Sequence, residues 1–299
     1  PLKGVFAPIT TPFDANGALA SKALEENMER YAVSGLHGYL ALGSNGENKS
    51  LTTDEKRAVV KCAASRKAKG QTLIVGSIFE STRETIAFAR EAQELGADYI
   101  ALLPPSYFKS QMKDAALIRY FTDVASALEI PCTLYKAPQF AGGLDIGAGV
   151  LSVCAAHPNI VGIKDSSAGG IEKLLSTAPE GFTVLSGTAN TFLGCLMNGG
   201  AGVVASLANS YPNVVLEVYD AFLKGDYETL RAKNRRMILL NGVVSGAFGV
   251  AAVKYAMDKN GFFGGDPRLP LLPLTEADRR SLDKSIDDIL NASLCSYKA

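Results

Sequence analysis

Lys164 closes an apolar run, Asn159-Ile-Val-Gly-Ile-Lys164-Asp-Ser-Ser167, and this setting suits nucleophilic chemistry. An amine carried at the end of a buried strand can condense with a carbonyl carbon. Strand alternation puts Gly162 and Lys164 on one face and Val161 and Ile163 on the other. If the valine–isoleucine face packs on helices, Lys164 points inward and Gly162 leaves room beneath it. The competing reading is a structural lysine paired with Asp165 or Glu47.

Two further segments offer chemistry to such an amine. Gly43-Ser44-Asn45-Gly46-Glu47 sets a hydroxyl and an amide between glycines, so the turn exposes backbone N–H groups that, with Ser44, can hold a carboxylate. The same pentapeptide also fits an ordinary strand-to-loop turn. Tyr135, in Leu134-Tyr-Lys-Ala-Pro138, is a phenol that could accept a proton from a substrate hydroxyl and return one to carbon, or be a core residue. Lys136 is a rival nucleophile, but alternation turns it away from Tyr135. Tyr107, in Pro104-Pro-Ser-Tyr-Phe108, adds an aromatic hydroxyl after the preceding apolar run.

Other reactive signals fall away. His37 and His157 are isolated, no carboxylates flank them at ligand spacing, and no metal is expected. No phosphate-binding motif occurs, and Gly264-Gly265 reads as a turn. Lysine plus arginine, 30, equals aspartate plus glutamate, 30, which removes any bulk electrostatic argument for nucleic acid or an anionic membrane. No apolar run approaches the ~18 residues of a spanning helix. Cys62, Cys132, Cys154, Cys195 and Cys295 are scattered without a CxxC pair, as expected of reduced core thiols in the cytoplasm. The chain starts at Pro1, which leaves room for a removed targeting segment, organellar ones included.

The elements that must position these residues are short apolar strands separated by amphipathic helices. Strands are expected over Gly4–Ile9, Gly38–Gly43, Thr72–Ser77, Tyr99–Pro104, Cys132–Tyr135, Ile160–Lys164, Thr183–Gly187 and Gly202–Ser206. Their density in apolar residues suits parallel strands buried on both faces. A helix over about Lys22 to Ser34 carries Leu24, Met28 and Tyr31 at three- and four-residue spacing; another from Thr53 turns Ala58, Val59, Cys62 and Ala63 inward. Ser81 with Glu84 forms the expected capping box of a helix that stops at Gly96.

Strand–helix units of similar size predict an α/β fold, a (β/α)8 barrel over residues 1–224. A doubly wound sheet fits less well, since no GxGxxG follows the first strand. Residues 225–299 read as a three-helix C-terminal extension, over about Tyr227–Leu240, Phe248–Asn260 and Thr275–Ala292, packed beside the barrel. In such barrels the active site lies at the C-terminal ends of the strands, where Lys164, Tyr135 and the Ser44 turn fall.

Together these segments resemble the dihydrodipicolinate synthase / N-acetylneuraminate lyase family of class I aldolases. The resemblance runs from Pro8-Ile-Thr-Thr-Pro-Phe13 through GSNGE, YxxP and GIKDSS to Pro267-Arg-Leu-Pro-Leu-Leu-Pro-Leu274. It implies a lyase in which Lys164 forms a Schiff base with a 2-oxo acid and Ser44 and Asn45 hold the acid's carboxylate. Tyr135 would then shuttle protons, Gly187 line the same cavity, and Tyr107 be a rim tyrosine that often completes a neighbouring subunit's site. The resemblance also implies pyruvate and an aldehyde as partners, no cofactor, and a homotetramer built as a dimer of dimers.

Departures from the family pattern narrow the substrate. Phe140 stands where dihydrodipicolinate synthases typically carry an arginine for the aldehyde's carboxylate, and it cannot make that bidentate contact. GSNGE most resembles the 4-hydroxy-2-oxoglutarate aldolase branch, with Lys136 or Lys109 as candidates for that substrate's second carboxylate. Open alternatives are a 2-keto-3-deoxy sugar acid aldolase or dehydratase, dihydrodipicolinate synthase itself, and a silent barrel that senses a 2-oxo acid.

Overall fold

In the computed structural model, which describes residues 2 to 292, the apolar runs form a closed parallel barrel in the order β1 to β8. The strands are β1 Gly4–Ala7, β2 Gly38–Ala41, β3 Thr72–Gly76, β4 Tyr99–Leu102, β5 Cys132–Lys136, β6 Ile160–Asp165, β7 Thr183–Ser186 and β8 Gly202–Val204. A helix follows each strand: α1 Ser21–Ala32, α2 Thr53–Arg66, α3 Thr82–Glu94, α4 Asp114–Ser126, α5 Ala148–Ala155, α6 Ile171–Thr177, α7 Phe192–Met197 and α8 Pro212–Leu223. Closure leaves the sheet no edge, and the helices cover its outer face.

The barrel is filled, not hollow. Leu2, Phe6, Leu40, Ile74, Ala101, Leu185 and Val204 form its inner cluster, separate from the larger core between strands and helices. A third cluster, Ile78, Leu103, Tyr135, Ala137 and Ala141, lies around Tyr135. Most strands end earlier than the apolar pattern suggests. Gly43, Gly187 and Ser206 thereby leave the ladder, while β5 and β6 run one residue further, pairing Lys136 with Asp165.

Local expectations fail in three places. Alternation in β6 breaks because Cys132 pairs with Ile160 and Thr133 with Gly162, which leaves Val161 as the extra residue of a bulge. Val161 therefore packs on the inner cluster, not with Ile163 on the helix-facing core. Gly162 serves a close approach to β7, not a space under Lys164: a Cβ there would meet the Thr183 carbonyl oxygen at 2.6 Å. In α2, Ala58 is exposed and Lys56, Val59, Val60 and Ala63 are buried instead. Ser81 caps α3 through the Glu84 amide, but the reciprocal capping box belongs to Thr52 and Glu55 on α2, two orphan amides satisfied at once.

The extension comprises α9 Tyr227–Asn241, a π-helical turn Gly242–Gly246, α10 Gly249–Lys259 and α11 Glu276–Asn291. Its α9 packs on α8, and α11 packs on α9. No single helix among the described residues is long and apolar enough to cross a membrane. Burial pushes the Cys62, Cys154 and Cys195 thiols up to about 11 and Cys132 to about 12, so they stay protonated and inert as core residues. Cys295 lies outside the described residues.

Candidate active site

Lys164 and Tyr135 are register partners across β5 and β6, so both side chains rise on the same side of neighbouring strands. Both are buried, and the Lys164 Nζ sits 4.0 Å from the centre of the Tyr135 ring. Among the described residues Lys164 makes no ion pair; neither Asp165 nor Glu47 reaches it. Asp165 instead accepts hydrogen bonds from the Ser167 amide at 2.8 Å and hydroxyl at 2.5 Å. Lys136 pairs with Asp145 at 3.3 Å, which removes it as a rival nucleophile at this site.

The turn after β2 comes up beside Tyr135. The Gly46 and Glu47 amides donate to the Gly43 and Ser44 carbonyls, closing the turn at 3.2 and 3.0 Å. Between them, the Ser44 and Asn45 amides make no hydrogen bond among the described residues. The Ser44 hydroxyl lies 3.2 Å from the Tyr135 hydroxyl, and the Asn45 side chain donates to Ser206 Oγ at 2.6 Å. The backbone here is strained: Leu42 at φ 57° and Glu47 at φ 53° are, among the described residues, the non-glycine residues with positive φ. Asn48 Nδ2 restrains the first by donating to the Leu42 carbonyl at 2.9 Å.

These groups open onto one cavity of about 380 Å³ at the C-terminal ends of the strands. Ser44, Asn45, Tyr135, Phe140, Lys164 and Gly187 all line it. Tyr107 does not: it is 80% exposed on the rim, stacked edge-on against Phe108. Its loop is anchored by Glu80, which accepts the Ser106 and Tyr107 amides at 2.8 and 2.9 Å. Burial pushes the Glu80 carboxyl up, but those amides and Lys49 outweigh it and hold the group below its ordinary value. Lys109 and Lys136 lie outside the lining of this cavity, and Lys136 is paired with Asp145.

Several lining residues escape sequence reasoning. Ser206 could have been found, because it stands at the end of the eighth apolar run. Ser166 lies two residues beyond Lys164, directly after β6, and its buried hydroxyl is unpartnered among the described residues; a Cβ on Gly187 would collide with it. Asn241 and Ser245 come from the extension, at the π-helical turn, and nothing local marks them. Asn241 Nδ2 donates to Asn190 Oδ1 at 3.1 Å, and the buried Ser245 hydroxyl has no partner among the described residues. The extension thus forms part of the cavity wall rather than merely packing beside the barrel. Apart from Lys164 the lining holds no cation; it is hydroxyls, amides and a few apolar groups.

The sequence model of the dihydrodipicolinate synthetase family matches residues 1–289. The 4-hydroxy-tetrahydrodipicolinate synthase of Acidiphilium cryptum is 34% identical, over 93% of this chain and 95% of its own. A probable mitochondrial 4-hydroxy-2-oxoglutarate aldolase of Emericella nidulans is 30% identical, over 95% of this chain and 94% of its own. Among solved structures, the prophage protein YagE of E. coli K12, crystallised with pyruvate and assigned to the dihydrodipicolinic acid synthase family, superposes with a TM-score of 0.90. It is 27% identical, and the match covers 98% of this chain and 99% of that one.

Proposed function

The chain belongs to the dihydrodipicolinate synthetase family and is a lyase of the class I aldolase type, and from that premise we propose that Lys164 condenses with a 2-oxo acid. The observation that carries this reading is a buried lysine without a carboxylate partner, set over Tyr135 in the cavity. The free amides of Ser44 and Asn45 suit the acid's carboxylate, and the lysine amine attacks its C2 carbonyl with loss of water. The resulting iminium withdraws electrons from C3. Tyr135 Oη gives its proton to the departing water and, as the phenolate, then takes the proton of a C4 hydroxyl; the C3–C4 bond breaks, an aldehyde leaves, and the bonding pair stays on C3 as an enamine. Protonation at C3 and hydrolysis then release pyruvate and restore the amine.

4-Hydroxy-2-oxoglutarate is the first substrate to offer, in keeping with the GSNGE turn and with Phe140 in place of a carboxylate-binding arginine. A 2-keto-3-deoxy sugar acid is the second, favoured by the neutral hydroxyl- and amide-rich lining around Asn190, Asn241 and Ser245. Release of pyruvate with glyoxylate, pyruvate with a hydroxyaldehyde, or water alone separates the aldolase readings from dehydration. In this reading Tyr107 serves a neighbouring subunit in a homotetramer, and the compartment is cytoplasmic. Borohydride reduction in the presence of pyruvate, followed by peptide mass spectrometry, should place a pyruvyl adduct on Lys164. An adduct elsewhere, or none while a control aldolase is trapped, would sink the proposal.

A further inference from the structure

The turn that presents Ser44 and Asn45 to the cavity ends in a residue that faces the other way. Glu47, in the left-handed region at φ 53°, sends its carboxylate out of the barrel into the extension. One oxygen meets Lys254 Nζ of α10 at 2.6 Å, with both side chains almost wholly buried. The other accepts the Arg268 amide at 2.7 Å. Lys254 in turn donates to the Asp266 carbonyl at 3.1 Å and lies 4.4 Å from the Phe13 ring centre. Arg268 stacks on the same ring at 4.1 Å and binds Glu55 of α2 through two nitrogens at 2.6 and 2.8 Å. On the inner side, Thr11 Oγ1 donates to the Gly46 carbonyl at 2.7 Å.

A left-handed conformation at a residue with a side chain persists only where its surroundings hold it. Part of that hold is local, the Glu47 amide on the Ser44 carbonyl at 3.0 Å and the Ser50 amide on the Glu47 carbonyl at 2.8 Å; the side chain is held by the extension, through one charge pair and one amide. If Glu47 relaxed to an ordinary φ, the turn would swing and carry the Ser44 and Asn45 amides with it. We propose that Glu47 and Lys254 are positioning residues that set the carboxylate-binding turn, so the C-terminal extension governs 2-oxo acid affinity without touching the substrate. This rests on the Schiff-base reading above.

The test compares pyruvate trapping by borohydride in the full-length wild type with that in the double variant Glu47→Gln/Lys254→Met. The double change leaves no lone charge in the buried site, which is the circumstance in which loss of a buried pair is best tolerated. The pyruvate concentration for half-maximal trapping should rise about tenfold, roughly 1.4 kcal/mol, while the maximal trapped fraction stays near wild type. Glu47→Asp, which keeps the charge, should fall between the two. An unchanged half-maximal concentration, or a lower maximal fraction at an unchanged concentration, would overturn the proposal. Hydrogen exchange on the unaltered chain gives a second measurement that does not depend on a variant folding. Pyruvate should slow exchange at the Arg268 amide as well as around Lys164; slowing around Lys164 alone would count against the coupling. Failure of wild type to trap pyruvate would remove both readings, whereas normal wild-type trapping with an unaltered double variant removes only this one.

Discussion

Two buried lysines sit on opposite sides of the Ser44 turn, and their surroundings differ in one respect. Lys164 rises inside the barrel against a phenol ring and has no carboxylate partner among the described residues. Lys254 is closed off between barrel and extension, held by Glu47 and the Asp266 carbonyl. Burial lowers the Lys254 pKa, and the Glu47 charge opposes that shift. A lysine held as an ammonium by a carboxylate at 2.6 Å has no lone pair to offer and has its position set. An unpaired amine that opens onto a cavity is free to react. Burial alone therefore does not distinguish the two lysines; the fixed counter-charge on Lys254 does.

The sharpest way to break this comparison is Lys164→Ala. It should abolish turnover and pyruvate trapping while leaving the denaturant midpoint unchanged or higher, since no ion pair is lost and a buried polar group is removed. Appreciable residual turnover would show the contrast to be misread. Lys254→Met, made alone, should act the opposite way. It strands the Glu47 carboxylate in the interior, and chemical denaturation should record a loss of about 3–5 kcal/mol. A loss below about 1 kcal/mol would mean that the pair is not structurally important.

A smaller effect is expected from Tyr135→Phe, which keeps the ring beneath Lys164 but removes the hydroxyl. Turnover should fall about a hundredfold with little change in the pyruvate needed for half-maximal trapping. A change in trapping without a change in turnover would assign the phenol to binding instead. The smallest effect concerns acid. Hydrogen bonding to Arg268 holds the Glu55 carboxyl at about 2, against an ordinary 4.5. A carboxyl lowered on folding adds stability above its unfolded value and loses it as pH falls through the folded one. Between pH 4.5 and 2 the wild type should therefore lose stability faster than Glu55→Gln. Because the pair is partly exposed, the difference should be well under 1 kcal/mol at moderate salt; parallel curves would show that the pair contributes nothing.

What could be read directly from the sequence was whatever repeats locally. Apolar strands at regular intervals prescribe a closed parallel barrel, because each is too apolar on both faces to lie at a surface. A lysine, a tyrosine and a glycine-flanked serine at the ends of such runs then fall on one rim, since all strands of the barrel point the same way. The bulge at Val161 was not legible, because it depends on how β6 registers against β5 and not on the residues of β6 alone. Nor was the capping box at Thr52 preferred over that at Ser81, although both carry the same spacing.

The tertiary structure decided the partners. Glu47 is adjacent in pattern to the site and could equally have paired with Lys164; only the docking of α10 gives it to Lys254. Docking of the extension likewise brings Asn241 and Ser245 to the cavity wall, whereas Lys136 finds Asp145 within the barrel itself. Periodicity is a property of neighbouring residues, so a sequence displays it. A counter-charge is a property of two segments far apart along the chain, and it exists only once the barrel has closed and the extension has folded back upon it.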